Sequence, residues 1–192
     1  EIARALSEQF ASHSVDKQYL AVVRGYCPEA GEIEHALKDK PDRIADRNRM
    51  RERPALEAAT RCCRLATVEV PVAVDRYPQS RYSLVSLHPR QGRKHQLRRH
   101  MKHLGYPIIG DAKYGKGVHN RFFQTQYQCE RLLLACVSME IAHPVELKRL
   151  RFEAALDQSF SRLVKTFGWV QAVQQEGVAL DSSVPLLPHA VS

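Results

Sequence analysis

The residues whose types and spacing could do chemistry lie in the segment GRKHQLRRHMKHL at 92–104, which is rich in cations and imidazoles. From Arg81 to His103 the chain holds seven basic residues and no Asp or Glu. Such a density of positive charge gains affinity for a polyanion by displacing counterions from phosphates. The alternative is a solvated basic helix without a ligand, which would account for Lys94, Arg99 and Lys102.

The same segment has the pattern of a helix over about 94–104. Its apolar residues recur at helical spacing and would face the core. They are Leu97, Met101 and Leu104. Gly105 follows them and suits the position just after a helix, where a left-handed backbone is common.

Arg98 is the cation of this helix that lies beside the predicted core. It shares a face with His95 and Lys102 through i, i+3 and i+4 spacing, whereas Arg99 points elsewhere. A charge at a core boundary needs a partner, because breaking a buried pair costs about 3–5 kcal/mol. The nearby sequence has no acid, so the partner must come from a distant segment or from a bound polyanion. Either outcome predicts a site.

The histidines also allow a metal interpretation. His100 and His103 are spaced i, i+3, but no Cys or acid nearby completes a tetrahedral set, and the cations would repel a metal dication. The sequence therefore predicts no metal site. The five cysteines include no C-x-x-C pair, so we predict reduced thiols that fill strand positions.

The composition indicates one globular domain with an anionic partner. The chain has 192 residues, 44% of them hydrophobic, and a net charge of +8. Charge alone does not distinguish RNA, DNA and an anionic membrane. No run is long and apolar enough to span a bilayer, and no secretion signal is evident, so we predict a cytoplasmic protein. Nothing in the sequence indicates more than a monomer.

Strands dominate the predicted secondary structure. We expect them at 17–25, 31–37, 60–72, 81–88, 131–141 and 148–156, with helices at about 1–13, 94–104 and 158–169. This order favours an α+β class, with a mainly antiparallel sheet flanked by helices. The charged segment 38–53 is interpreted as an exposed loop, and an RNA contact is its alternative.

Two stretches of the chain resemble known motifs. The order G-R-K-H-Q-L-R-R-H followed by G-x-P-I-x-G-D-x-x-Y-G, at 92–100 and 105–115, resembles the third motif of the RluA-type pseudouridine synthases. K-x-Y-x-A-x-V-x-G at 17–25 resembles their second motif. The resemblance runs from residue 1 to about 169. It implies a pseudouridine synthase catalytic domain over 1–169 and a C-terminal tail at 170–192.

This resemblance implies an enzyme that isomerises uridine in RNA to its C-glycoside without a cofactor or metal. The details of the motifs imply tRNA as the partner, with uridine 65, near the junction of the acceptor and T stems, as the target. A base in a stem must be flipped out, and an aromatic side chain can then stack on it. By its motif position Tyr19 takes that role and is a candidate for removing the C5 proton. An ordinary core aromatic is the alternative.

In the family an aspartate is the nucleophile, and its ionised form is stabilised by an arginine, which by motif position is Arg98. The remaining cationic and imidazole side chains would bind RNA phosphates. They are Arg93, Lys94, His95, Arg99 and Lys102. The family's His-Arg-Leu-Asp-x-x-Thr-Ser-Gly motif is not found in this chain, so we assign no nucleophile, and Asp111 is predicted to have a structural role.

The missing motif predicts that the sequence is a fragment, which is also suggested by its first residue, Glu1, and by the absence of a capping residue before its first helix. Such a chain alone is predicted to be inactive. Two alternatives stay open. One is a non-catalytic RNA-binding module with the same basic surface. The other is an RNA-cleaving enzyme with His95 and His100 as acid and base, although it gives no reason for the segment around Tyr19.

Overall fold

The computed structural model describes residues 1–38, 54–146 and 148–184. Among these residues the helices are α1 (Ile2–Ala11), α2 (Gln96–His103), α3 (Gly117–Tyr127), α4 (Gln158–Thr166) and α5 (Val170–Gln175). The strands are β1 (Asp16–Arg24), β2 (Ala30–Glu34), β3 (Ala59–Val70), β4 (Ser80–Pro89), β5 (Leu134–Ala142) and β6 (Arg149–Glu153). The predicted α+β class is confirmed.

The strands form one sheet in the order β2-β3-β4-β1-β5-β6, in which every neighbouring pair is antiparallel. Central β1 lies between β4 and β5, and its residues 20–23 are fully buried. A strand that is buried on both faces reads as a continuous apolar run, which explains the sequence LAVV at these positions. β1 is therefore a rigid base for the side chains at its two ends.

Helices cover both faces of the sheet. On one face Leu20 belongs to a core cluster that includes side chains of α3, α4 and α5. On the other face Ala21 belongs to a cluster with Leu97 and Met101 of α2. Because α2 packs on the second face, its polar side lies next to the β1 residues that point the same way, which include Tyr19.

All six predicted strands are present, with ends that differ by up to three residues. The predicted helix is shorter than expected, because His95 has a left-handed backbone with φ 56° and α2 begins at Gln96. The prediction that Leu104 faces the core was wrong, since it follows the last turn and is 39% exposed. Gly105 has φ +84° and ends the helix as predicted.

The C-terminal part of the described chain packs on the domain. The predicted helix at 158–169 ends at Thr166, and α5 follows it. Val173 and Val178 in the predicted tail are buried in the same core cluster as Leu20. The division at residue 169 stays a prediction. Of the charged segment at 38–53, residues 39–53 lie outside the described residues.

The five cysteines are free thiols. Cys62 and Cys63 in β3 and Cys136 in β5 occupy strand positions as predicted, whereas Cys27 and Cys129 lie outside the strands. The strand interpretation was therefore wrong for two of them. The described residues contain no group of three or more potential metal ligands, and none of their helices is long and apolar enough to cross a membrane.

Candidate active site

Tyr19 and Arg98, which belong to two motifs far apart in the sequence, line one cavity of about 220 Å³. Lys17, Arg93 and His95 line the same cavity. No Asp or Glu is among the lining residues in the described part of the chain. The cavity thus combines an aromatic ring with several cations, and it is suited to bind an anion beside a flat ring.

Tyr19 lies where the pairing of β1 is irregular. It is opposite Leu87 of β4, but the register with β5 shifts between Gln18 and Tyr19. The extra residue is Val137 of β5, and β1 keeps a regular register with β4. Bulges of this kind are frequent next to active sites. Burial raises the pKa of Tyr19 to about 12, and the neighbouring Cys136 thiol adds to this shift. The phenol is therefore neutral at pH 7.

Arg98 finds its partner within the chain. Its Nε donates to Asp111 Oδ2 at 2.7 Å, and its Nη2 donates to Asp111 Oδ1 at 2.8 Å. The sequence predicted that this partner comes from a distant segment or from a bound polyanion, whereas it is Asp111 in the turn after α2. The role of Arg98 towards a nucleophilic aspartate stays a prediction. Nη1 makes no hydrogen bond to the described residues, so the guanidinium keeps donors for a second anion.

Asp111 has the structural role that its turn position predicts. Its side chain is fully buried, and its Oδ1 accepts hydrogen bonds from the amides of Lys113 and Tyr114 at 2.9 and 2.8 Å. Burial alone would raise the pKa of this carboxyl. The bonds from Arg98 and from the two amides outweigh burial, and the pKa lies below its ordinary value.

The glycines of the G-D-x-x-Y-G motif allow the backbone to approach closely around Asp111. A Cβ added at Gly110, where φ is +78°, would overlap the carbonyl oxygen of Arg131. A Cβ at Gly115 would overlap the carbonyl oxygen of Asp111. Asn120 of α3 closes the turn, because its Oδ1 accepts from the Gly110 amide and its Nδ2 donates to the Asp111 carbonyl. The G-D-x-x-Y-G motif thus fixes the turn that holds Asp111 against Arg98.

The Tyr114 side chain lies close to the three residues that were predicted to share one face, His95, Arg98 and Lys102. The Arg98 guanidinium carbon lies 5.1 Å from the centre of its ring, and Lys102 Nζ lies 5.9 Å from it. His95 Nδ1 is 3.2 Å from the Tyr114 hydroxyl. Burial, followed by the charges of Arg98 and nearby lysines, lowers the pKa of His95. The shared face of His95, Arg98 and Lys102 is confirmed.

Buried polar side chains fix the start of α2 to β3. Gln96 Nε2 donates to the Ala59 carbonyl at 2.9 Å, and Gln96 Oε1 accepts from the Arg93 amide at 3.0 Å. His100 is fully buried, with its Nδ1 2.9 Å from Thr60 Oγ1. Because His100 has no access to a substrate, the RNA-cleaving hypothesis that uses it as an acid or base is wrong.

The predicted phosphate ligands divide into two groups. Arg93 and His95 line the cavity, and Arg93 Nε also donates to the Glu57 carbonyl at 3.2 Å. Lys94 and Lys102 are exposed outside it. Arg99 points away from Tyr114, as predicted, and donates to the Lys38 carbonyl at 3.0 Å. Their roles in RNA binding stay predictions.

Comparison with known proteins identifies the fold and the family together. The family model described as RNA pseudouridylate synthase matches residues 1–103. The chain is 47% identical over 169 residues to tRNA pseudouridine synthase C of Haemophilus ducreyi. The matched region covers 88% of this chain and 69% of the relative. The chain belongs to the RNA pseudouridylate synthase family.

Other members of the RNA pseudouridylate synthase family differ in length. The tRNA pseudouridine synthase C of Pectobacterium carotovorum is 46% identical over 169 residues, and the chain spans 45% of its length. The solved human RNA Pseudouridylate Synthase Domain Containing 4 superposes with a TM-score of 0.60 at 22% identity, covering 84% of this chain and 66% of that one. This second likeness shows the fold alone.

Within this pseudouridylate synthase domain, Lys17 is a site residue that the sequence analysis missed. It is 9% exposed, lines the cavity, and forms no ion pair with the described residues. Burial is the main cause that lowers its pKa. Its position two residues before Tyr19 on a strand was the available signal, because alternate residues of a strand point to one face.

Proposed function

We propose that this chain is the tRNA-binding part of a pseudouridine synthase that converts uridine 65, at the junction of the acceptor and T stems, to pseudouridine. The observation that carries the proposal is the cavity in which Tyr19 and Arg98 meet. Its cations suit a phosphate-bearing ligand, and its aromatic ring suits a base. We further propose that it acts as a monomer in the cytoplasm and needs no cofactor or metal.

The reaction breaks the bond between uracil N1 and ribose C1′ and forms a bond from C5 to C1′. The C5 proton is then lost, and N1 is protonated. The target must leave its stem, which costs a few kcal/mol, so the cavity has to stabilise the extruded nucleotide. We assign stacking on uracil to the neutral Tyr19 ring and phosphate binding to Lys17 and Arg93. Lys94, His95, Arg99 and Lys102 position the surrounding RNA.

The nucleophile is the part of the proposal that this sequence does not supply. Asp111 is fully buried, is paired with Arg98 through both oxygens, and does not line the cavity, so we do not assign it as the nucleophile. We propose that an aspartate from a segment outside the printed sequence enters the cavity and binds the remaining donors of Arg98. The chain as given is then inactive, although its RNA surface is present.

A non-catalytic RNA-binding module is the second candidate. The lack of a carboxylate among the described residues that line the cavity favours it. Its cations and aromatic ring would then bind RNA without reaction, as they do in other positively charged grooves.

The experiment compares two polypeptides on transfer RNA. One is the chain as given, and the other is a gene product that also contains the His-Arg-Leu-Asp segment. Pseudouridine is mapped by sequencing, and binding is measured in parallel. We expect both to bind tRNA and only the second to modify uridine 65. Modification by the chain alone would contradict the missing nucleophile. Binding by both without modification would favour the non-catalytic module.

A further inference from the structure

A second cavity of about 610 Å³ lies at the other end of β1, away from Tyr19 and Arg98. It is bordered by the end of β1, the loop between β3 and β4, the segment after α2, and α3. The volume is within the range of about 300–1,000 Å³ that small-molecule sites occupy. Neither the reaction nor the basic helix uses this cavity.

Three tyrosines line the cavity, and two of them present much of their surface to solvent. Tyr26 is 39% exposed and Tyr77 is 57% exposed. Tyr106 is partly buried, and its ring packs against Gly25, where an added Cβ would come within 3.2 Å of it. Every nucleobase has a face that can stack on exposed aromatic rings such as these.

Arginines accompany these rings. The Arg81 guanidinium carbon lies 5.2 Å from the centre of the Tyr26 ring, and that of Arg76 lies 5.0 Å from the Tyr77 ring. An arginine beside a tyrosine ring adds positive charge to a stacking platform, which suits a base with a phosphate attached. Arg81 is also paired with Glu69 at 2.7 Å, so the pair of Arg76 and Tyr77 is the more cationic of the two. Such platforms are characteristic of sites that bind unpaired nucleotides.

Arg24 supplies a charge without a carboxylate partner among the described residues. It ends β1 and lines the cavity, and its charge helps to lower the pKa of the nearby His119. The acid in the lining, Asp75, is already paired with Lys116 of the loop before α3. A partly buried arginine in such surroundings favours an anionic ligand.

We infer that this cavity binds an unpaired nucleotide of the RNA substrate, with its base stacked on Tyr77 or Tyr26 and its phosphate on Arg24. The inference rests on the proposed function, because it requires RNA as the partner. Arg24 and Tyr19 are five residues apart in one strand, so their backbones lie about 17 Å apart and their side chains point to opposite faces of the sheet. An RNA molecule that occupies both sites must therefore pass around the end of the sheet.

The test uses Tyr77→Trp as a fluorescent reporter in the whole chain. We expect the fluorescence of this variant to be quenched by tRNA and by a short single-stranded RNA, and not by an RNA duplex without loops. The indole keeps a stacking face, so tRNA affinity should stay within about twofold of wild type. Tyr77→Leu removes that face, and Arg24→Gln removes the phosphate ligand. Each should weaken tRNA binding about tenfold.

Arg4→Gln is the matched control, because it removes the same charge from a side chain that is 85% exposed on α1. It should leave tRNA affinity within about twofold of wild type. Lys102→Gln separates this inference from the proposed function. Weaker binding in Lys102→Gln, with unquenched fluorescence in Tyr77→Trp and normal affinity in Arg24→Gln, would overturn the second site alone. A wild-type chain that does not bind tRNA would overturn both.

Discussion

Arg98 and Asp111 are joined by two parallel hydrogen bonds of 2.7 and 2.8 Å, and the carboxylate of this pair is fully buried. The pair fixes the guanidinium on the wall of the Tyr19 cavity before any ligand arrives. Arginine and carboxylate groups match geometrically, so the pair sets orientation as well as charge. The buried turn around Asp111 is therefore part of the site, although Asp111 does not line the cavity.

Asp111→Asn should lower the free energy of unfolding by about 3 kcal/mol, because it leaves the mostly buried Arg98 without its counter-charge. Urea denaturation measures the change. The control is Glu69→Gln, which breaks the pair with Arg81 at a similar distance of 2.7 Å but with side chains 52% and 41% exposed. That pair should contribute less than about 1 kcal/mol. Equal losses in both variants would contradict the structural role of Asp111.

Lys17→Met should weaken tRNA binding about tenfold while the protein becomes no less stable. Burial lowers the pKa of Lys17, which means that the charged form is destabilised in the folded chain. Removing the charge removes that cost, whereas a structural lysine would leave a less stable protein. Affinity by fluorescence anisotropy and stability by urea denaturation are measured together. A clear loss of stability with unchanged affinity would show that Lys17 supports the fold.

Arg99→Gln and Lys102→Gln should each weaken tRNA binding and reduce the dependence of affinity on salt, because each removes one phosphate contact. Binding isotherms between 50 and 200 mM salt, roughly the range in which such contacts matter, give the slope. Arg4→Gln is again the control with the same loss of charge. A slope that changes as much in Arg4→Gln would indicate an effect of net charge rather than of local contacts.

His119 should make the fold sensitive to acid. Burial is the largest cause that lowers its pKa from 6.5 to about 4, followed by Arg24 and Lys116. The unfolded chain therefore takes up a proton below about pH 6.5, and the folded chain does so only near pH 4. The stabilisation is present above pH 6.5 and is lost as the pH falls towards 4.

The comparison is between wild type and His119→Gln, with unfolding free energies measured at pH 7 and pH 4. Wild type should lose roughly 2–3 kcal/mol more than the variant over this interval. The His119 Nδ1 lies 2.9 Å from the Tyr82 hydroxyl, and a glutamine oxygen can accept the same bond. Parallel losses in the two proteins would contradict a neutral buried His119.

The sequence predicted the sheet and α2 because both depend on periodicity. The apolar run of β1 and the spacing of Leu97 and Met101 specify buried faces without knowledge of the neighbours. Helix α3 was missed, since only His119 and Phe123 of its residues are buried and its apolar pattern is short. Two buried residues four positions apart are too few to show a helical period in the sequence.

The pair between Arg98 and Asp111 could not be predicted, because it depends on how the turn after α2 folds back. The two residues are thirteen positions apart in the sequence, and the G-D dipeptide alone predicts only a turn. The position of Tyr19 and Arg98 in one cavity, in contrast, was open to prediction. The motif resemblance predicted it, but the strand and helix patterns alone do not say that α2 packs beside the start of β1.

The most direct measurement of the central claim is the release of the C5 hydrogen isotope from labelled tRNA by the gene product that also contains the His-Arg-Leu-Asp segment. We predict that Arg98→Gln and Tyr19→Leu lower turnover at least a hundredfold and change the dissociation constant for tRNA less than about fivefold. Lys102→Gln should show the opposite, with weaker binding and near-normal turnover at saturation. Equal, small effects from all three variants would contradict an active site at this cavity and leave only a basic RNA-binding surface.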